Sequence, residues 1–302
     1  MSDIIATVWD FDKTLIPGYM QEPIFLKYNF SGERFWDLNK EKIAALKKQK
    51  LSVNEDSYYL NQLISFSGKK GKFEGLNNKT LRELGGELNF YPGVEELFKD
   101  INSLNDDKDY REYGITFENY IVSTGLKQMI AGSKIAEYVK HIWGAELEDV
   151  KEGSLIHLGK IAYSLDNTTK TRALFEINKG VGIVPGASID VNTKTPWEQR
   201  RVQFSNMIYI ADGPSDVPAF SVTKQKGGVT VAVYPRGNAE ALAQVENLRC
   251  QGRVDMIVEA NYEKGTTAYL WLMRRLRLQA EKIIEEKKRV YLQPEGTPSH
   301  LI

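Results

Sequence analysis

The chain opens on Ile4-Ile5-Ala6-Thr7-Val8-Trp9, an unbroken apolar and β-branched run, and turns at once to Asp10-Phe11-Asp12-Lys13-Thr14. A run of this kind fits a strand buried on both faces of a parallel sheet, because an amphipathic helix would interrupt it with polar residues every third or fourth position. A parallel sheet in turn needs crossover helices on both faces, so this one segment points to a layered α/β arrangement. Similar short runs recur at Tyr120 to Val122, Met207 to Ala211, Val229 to Val233 and Val254 to Val258. Helix-like patterns separate them. Pro92 followed by Val94, Leu97, Phe98 and Ile101 has Pro in the first turn and helical spacing, and Met129, Ile130, Ile135 and Val139 read as a second inward helix face. The expected fold is a doubly wound, mainly parallel, Rossmann-like sheet.

Residues 17 to 90 read differently. They lack buried-strand runs and carry amphipathic patterns at Phe35, Leu38, Ile43 and Leu46, then at Leu60, Leu63 and Ile64. Ser52-Val53-Asn54-Glu55 has the form of a capping box for a helix through Tyr58 to Phe66. The expected organisation is therefore a core of residues 1–16 and 91–280, a helical insert at 17–90, and a helix end and tail at 281–302. Tyr262 to Lys288 reads as one long helix before the loose Pro294 to Pro298 segment.

Composition narrows the function. The 302 residues, 42% of them hydrophobic, can bury a large core, and 40 basic residues balance 40 acidic ones. No net field draws nucleic acid or an anionic membrane surface. The apolar stretch Thr266 to Met273 is far shorter than the roughly 20 residues a membrane span needs. Cys250 is the single cysteine, so no internal disulfide forms, and no apolar leader opens the chain; a cytoplasmic location is expected.

The acids after the first strand carry the chemistry. Ligands of open α/β sheets bind beyond the carboxyl ends of the strands. Side-chain alternation puts Asp10 and Asp12 on one face and Phe11 on the other. Two converging carboxylates repel, and a divalent cation would keep one of them ionised and nucleophilic. A bare Asp-x-Asp is more often a solvated turn, so its companions decide. Tyr120-Ile121-Val122-Ser123-Thr124-Gly125 is a strand ending in a hydroxyl, where Ser123 and the following amides can hold a phosphate. Lys170, after Asn167-Thr168-Thr169 and before Leu174, Phe175 and Ile177, opposes the helix dipole and so calls for an anionic neighbour; Lys160 and Lys179 are the alternatives. Met207 to Ala211 runs into Asp212-Gly213-Pro214-Ser215-Asp216.

In order, these four segments resemble the motifs of the haloacid dehalogenase-like superfamily. The likeness is to its phosphoserine-phosphatase-like branch, whose helical cap of the C1 type lies where residues 17–90 fall. Tyr91-Pro92-Gly93-Val94 resembles the re-entry into the core. The resemblance implies a magnesium-dependent phosphatase acting on a small phosphorylated metabolite through an aspartyl-phosphate. By it, Asp10 is the nucleophile, Asp12 the general acid and base, and Lys170 the charge-neutralising cation. Lys13, Thr14, Ser123, Thr124 and Gly125 would bind the phosphate. Magnesium would be held by Asp10, the Asp12 backbone carbonyl and Asp212, with Asp216 and Gly213 supporting them from behind. The scattered His141, His157 and His300 play no part in that scheme. Tyr19 stands nine residues past Asp10, where phosphoserine phosphatases carry a substrate-reading glutamate. Tyr19, Gln21, Glu22, Tyr58, Tyr59 and the lysines of the insert are the candidate readers of the substrate's polar groups. A phosphotransferase of the same superfamily and a catalytically silent binding module are the alternatives.

Overall fold

The computed structural model describes residues 3–184 and 190–292. Strand β1 (Asp3–Trp9) is followed by helices α1 (Glu22–Lys27), α2 (Gly32–Lys48), α3 (Glu55–Ser67) and α4 (Asn78–Gly85) before the chain meets another strand. Helices α5 (Val94–Ser103) and α6 (Lys108–Glu112) lead to β2 (Ile115–Leu126), then α7 (Lys127–Gly132), β3 (His141–Glu152) and β4 (Leu155–Tyr163). Helix α8 (Lys170–Lys179), β5 (Met207–Ala211), α9 (Val217–Gln225), β6 (Val229–Tyr234), α10 (Ala239–Cys250), β7 (Met256–Glu259) and α11 (Thr267–Leu292) complete the order.

The seven strands form one sheet in the order β4-β3-β2-β1-β5-β6-β7, parallel except for the β3–β4 hairpin. Strand β1 lies in the middle, pairing Trp9 with Ile121 of β2 and with Ile210 of β5. Alternation along β1 divides the core. Ile5 and Trp9 join a cluster with Phe98 and Ile101 of α5 and Leu272 and Leu276 of α11, and the inserted helices extend that cluster. Ile4, Ala6 and Val8 pack on the opposite face with Leu174 and Ile177 of α8, Phe220 of α9 and Val245 of α10. Helices thus cover both faces, as a sheet so apolar requires.

The inserted helices are tied to the sheet layer through close backbone contacts. A Cβ on Gly85 of α4 would come 2.0 Å from the Met129 carbonyl oxygen, and one on Gly132 would come 1.8 Å from that of Arg82. Only glycine lets α4 and α7 cross this closely. Helix α3 packs on β4, where the Ser67 hydroxyl donates to the Ile64 carbonyl, with Leu158 O also in reach at 3.3 Å.

Several local expectations change. The N-cap of α3 is Asn54, whose side chain accepts from the Ser57 amide at 3.1 Å, in place of Ser52. The expected helix face Met129 to Val139 breaks at Ser133 into α7 and a 3-10 turn at Ala136–Tyr138. Helix α11 begins at Thr267, because Gly265 takes φ 94° and Tyr262 is drawn into the core. The hairpin β3–β4 has no counterpart in the expected strands: its outer half alternates with charged residues on a solvated edge. His300 and the Pro294 to Pro298 segment lie outside the described residues.

Candidate active site

The crevice lies at the carboxyl end of β1, where the strand order reverses direction between β2 and β5. Asp10, the first residue past β1, shares its face with Ala6 and Val8 and therefore points toward α8, while Phe11 packs into the opposite cluster. The loop beyond is held tightly. The Lys13 amide donates to the Gly18 carbonyl at 3.2 Å, and Lys13 takes a left-handed φ of 60°. The Tyr262 hydroxyl donates to the Thr14 carbonyl at 2.7 Å. A lysine in that backbone region is uncommon, and such strain concentrates at functional sites.

Lys170 is the first residue of α8. Asp166 builds the turn before it, its Oδ1 accepting from the Thr168 and Thr169 amides, and its carbonyl accepts from the Lys170 amide. The Lys170 side chain is 2% exposed, and its Nζ donates to Asp10 Oδ1 and to Asp216 Oδ1, each at 2.7 Å. Burial disfavours its charge, but the two carboxylates outweigh that and hold its pKa above the ordinary lysine value. Lys160 is exposed on β4, and Lys179 donates to the Val191 and Thr193 carbonyls, so neither alternative meets the acids.

Both oxygens of Asp10 are engaged, since Thr14 Oγ1 donates to Oδ2 at 3.1 Å. Burial raises its pKa, the Lys170 charge lowers it, and the Asp216 charge raises it again, for a net upward shift. Asp12 keeps some exposure, and its Oδ1 accepts from the Met20 amide at 3.0 Å. Burial and the neighbouring Asp10 charge push the Asp12 carboxyl up to about 8. Asp212, directly after β5, is raised by burial and by the Asp10 and Asp216 charges. Asp216 is fully buried and accepts from Lys170, from the Tyr209 hydroxyl at 2.6 Å and from Ser215 Oγ at 2.9 Å. Its amide donates to the Gly213 carbonyl, closing the turn.

Carboxylate oxygens of Asp10, Asp212 and Asp216 lie within 4.8 Å of one another. With Asp12, four acids gather at this crevice, and two of them, Asp10 and Asp216, contact the buried Lys170. This hard, all-oxygen donor set with surplus negative charge suits a divalent cation such as magnesium. Asp216, expected behind the ligands, is one of that trio, and the Asp12 carboxylate is not. On the β2 side, Ser123 is buried and its Oγ accepts from the Gly125 amide at 3.0 Å. Met20 lies over this turn: its Sδ accepts from the Leu126 amide at 3.1 Å, and a Cβ on Gly125 would meet its Cε at 2.2 Å.

A cavity of about 520 Å³ adjoins the acids, with Asp12, Thr124 and Gly125 among the residues that line it and Trp36, Asn39 and Tyr59 in the inserted helices. The Tyr59 hydroxyl donates to the Thr124 carbonyl at 3.0 Å, fastening α3 over β2. Of the expected substrate readers, Tyr19, Gln21 and Tyr59 line the cavity, whereas Glu22 and Tyr58 do not. Asn39, Trp36 and Tyr209 were not foreseen. Asn39 sits at four-residue spacing between the buried Phe35 and Ile43, and Tyr209 interrupts an apolar strand; a polar group on a core-facing position is the signal in both cases.

No family model matches the chain. An uncharacterized protein of Borreliella burgdorferi is 36% identical over 290 residues, covering 91% of this chain and 97% of that one. Among solved structures, a probable phosphoserine phosphatase of Vibrio cholerae superposes with a TM-score of 0.53 at 15% identity, over 93% of this chain and 68% of that one. A phosphoserine phosphatase carrying a phospho-aspartyl intermediate analogue gives 0.50 at 16% identity, over 85% and 93%. A haloacid dehalogenase family hydrolase of Salmonella enterica serovar Typhi gives 0.50 at 13% identity, over 89% and 70%. At such identities the likeness speaks for the fold. The chain therefore belongs to one family with the Borreliella burgdorferi protein, and that family is built on the haloacid dehalogenase-like fold.

Proposed function

We propose that this chain is a hydrolase of small-molecule phosphate monoesters. The observation that carries the reading is the Lys170 ammonium, 2.7 Å from both Asp10 and Asp216 in the crevice that also holds Asp12 and Asp212. A structural ion pair does not require two further carboxylates at the same strand ends. A centre that receives a phosphoryl group does, because it must supply a nucleophile, a proton donor and a cation together.

In this reading an Asp10 oxygen, aligned by Thr14 and Lys170, attacks phosphorus. The P–O bond to the leaving group breaks as Asp12 passes its proton to the departing alkoxide. The raised pKa of Asp12 keeps that proton available near neutrality. Asp12, now ionised, takes a proton from the water that attacks the aspartyl-phosphate, releasing inorganic phosphate and restoring Asp10. Ser123 Oγ accepts from the Gly125 amide, which leaves its own proton free for a phosphoryl oxygen. Lys170 offsets the charge gathering on Asp10 and the transferring group. Magnesium, held by Asp10, Asp212 and the Asp12 carbonyl, would supply charge neutralisation at the phosphoryl oxygens. Residues 17–90 act as a cap that closes the cavity over the alcohol part of the ester.

The purified chain is expected to hydrolyse p-nitrophenyl phosphate with magnesium and to stop when chelator is added. Asp10→Asn should lower kcat/KM by about 10³-fold or more. Full activity in Asp10→Ala overturns the nucleophile assignment, and a normal rate in Asp12→Asn removes the proton-transfer role.

A further inference from the structure

We propose that the alcohol released by this centre is a small primary amino alcohol, its ammonium group seated in the cavity under α2 and α3. The inference rests on the phosphatase reading above and names the substrate class within it.

Three observations about the cavity converge. Its walls are aromatic: the rings of Tyr19 and Trp36 lie 5.7 Å apart, and those of Trp36 and Tyr59 lie 5.6 Å apart. Ring faces attract cations, most strongly where water is excluded. Its lining is acidic, with Glu33, Asp37, Glu55 and Asp56 and, among the described residues, Lys40 as the one basic lining residue; the Lys13 ammonium also lies 4.3 Å from the Tyr19 ring centroid and donates to its hydroxyl. Lys40 is 3.6 Å from Asp37, and Glu55 pairs with Lys47. Glu33 and Asp56 have no cationic side chain within 4.0 Å among the described residues.

The third observation fixes the sign of the hydrogen bonding. Gln21 and Asn39 are 2% and 4% exposed, yet Gln21 Oε1 and Asn39 Oδ1 have no partner. The orientation of Asn39 is set by its other amide atom. Asn39 Nδ2 donates to the Phe35 carbonyl at 2.9 Å. Gln21 and Tyr59 both line the cavity, and the Tyr59 hydroxyl is already committed to the Thr124 carbonyl. Two orphaned acceptors, the carboxylates of Glu33 and Asp56 and the rings of Trp36 and Tyr59 ask for a group that is both cationic and rich in N–H. A protonated primary amine meets all three. A carboxylate or second phosphate on the same alcohol would face repulsion, and a sugar would leave the acids uncompensated.

The test compares kcat/KM of the full, magnesium-loaded chain for O-phosphoethanolamine, phosphocholine, O-phosphoserine, glycerol phosphate and p-nitrophenyl phosphate. O-phosphoethanolamine is expected to exceed glycerol phosphate and O-phosphoserine by about 10-fold or more. Asp56→Asn, which keeps the side chain's size, and Trp36→Leu should each shrink that preference by about 5-fold. Equal rates across the esters, with p-nitrophenyl phosphate still turned over, overturn the amino-alcohol assignment alone. A phosphocholine rate at or above that of O-phosphoethanolamine overturns it too, since a trimethylammonium group brings no N–H to Gln21 and Asn39. An unchanged preference in both variants does the same. No turnover of any ester overturns the phosphatase reading and this inference with it.

Discussion

Lys170 and Asp216 are joined by a 2.7 Å hydrogen bond in which both side chains are almost wholly out of solvent, at 2% and 0% exposure. The same ammonium reaches Asp10, so one cation holds two acids that would otherwise repel across the crevice. The arrangement leaves little tolerance for a change in the shape of the cation.

Lys170→Ala is expected to lower kcat by about 10² to 10³-fold at saturating magnesium, the loss typical of one preorganised charge at a reacting centre. Lys170→Arg should not restore it. A planar guanidinium needs room that a compact ammonium between two buried carboxylates does not leave. Steady-state rates of both variants, with circular dichroism to establish folding, check this, and wild-type activity in either refutes the role.

Tyr209→Phe removes a donor from Asp216 and leaves that fully buried acid with one partner fewer. The cost should be about 1 to 3 kcal/mol of stability, read from denaturant unfolding, with a drop in kcat much smaller than for Lys170→Ala. A variant as stable as the wild type would show that another donor takes the place of the hydroxyl.

Gly85→Ala and Gly132→Ala each force a methyl into a backbone carbonyl, at 2.0 and 1.8 Å respectively. Overpacking of this kind costs about 1 to 3 kcal/mol. Because both substitutions open the same α4–α7 crossing, the double variant should lose less than the sum of the two. Thermal melts of the three proteins measure this, and strict additivity would place the two sites in separate contacts.

Asp100 joins α5 to the start of α11: it accepts from the Tyr269 hydroxyl at 2.7 Å and pairs with Lys264 at 2.9 Å. Burial alone would raise its pKa, but these two partners outweigh it and hold the carboxyl below its ordinary value of 3.8. A depressed folded-state pKa stabilises above the unfolded value and loses that contribution as pH falls through the folded one. Asp100→Asn should therefore cost about 1 kcal/mol at pH 7. The gap should narrow as pH drops below 3.8, and a constant gap across that window would contradict the assignment.

Much of this site could be read from the chain because strand-end chemistry is local. The β1 run and its two acids, the Ser123 turn and the Asp212 to Asp216 segment each announce themselves within about ten residues, since a buried strand must be apolar and its rim need not be. Lys170 was marked by standing against the helix dipole, and its burial between two acids supplies the reason. What escaped depends on contacts made far along the chain. The β3–β4 edge looks polar because solvent wets it, and the pairing that makes it a hairpin is cooperative. The break at Ser133 and the close approach of Gly85 to α7 follow from packing that no single segment contains. Asn39 was legible in principle, as an amide on an otherwise apolar helix stripe, but its cavity exists only once α2 and α3 lie over β2.

The central place of β1 in the sheet has a consequence for how the protein comes into being. Asp10 leaves the ribosome early, whereas its cation follows 160 residues later and the acid behind that cation a further 46. Contacts of such span close late, after the entropy of the intervening loops has been overcome. A nascent chain that has paired only β1 and β2 carries Asp10 without its counter-charge. The Lys170–Asp10–Asp216 cluster is thus a property of the finished sheet, and under the proposed function activity would appear only once both halves have docked.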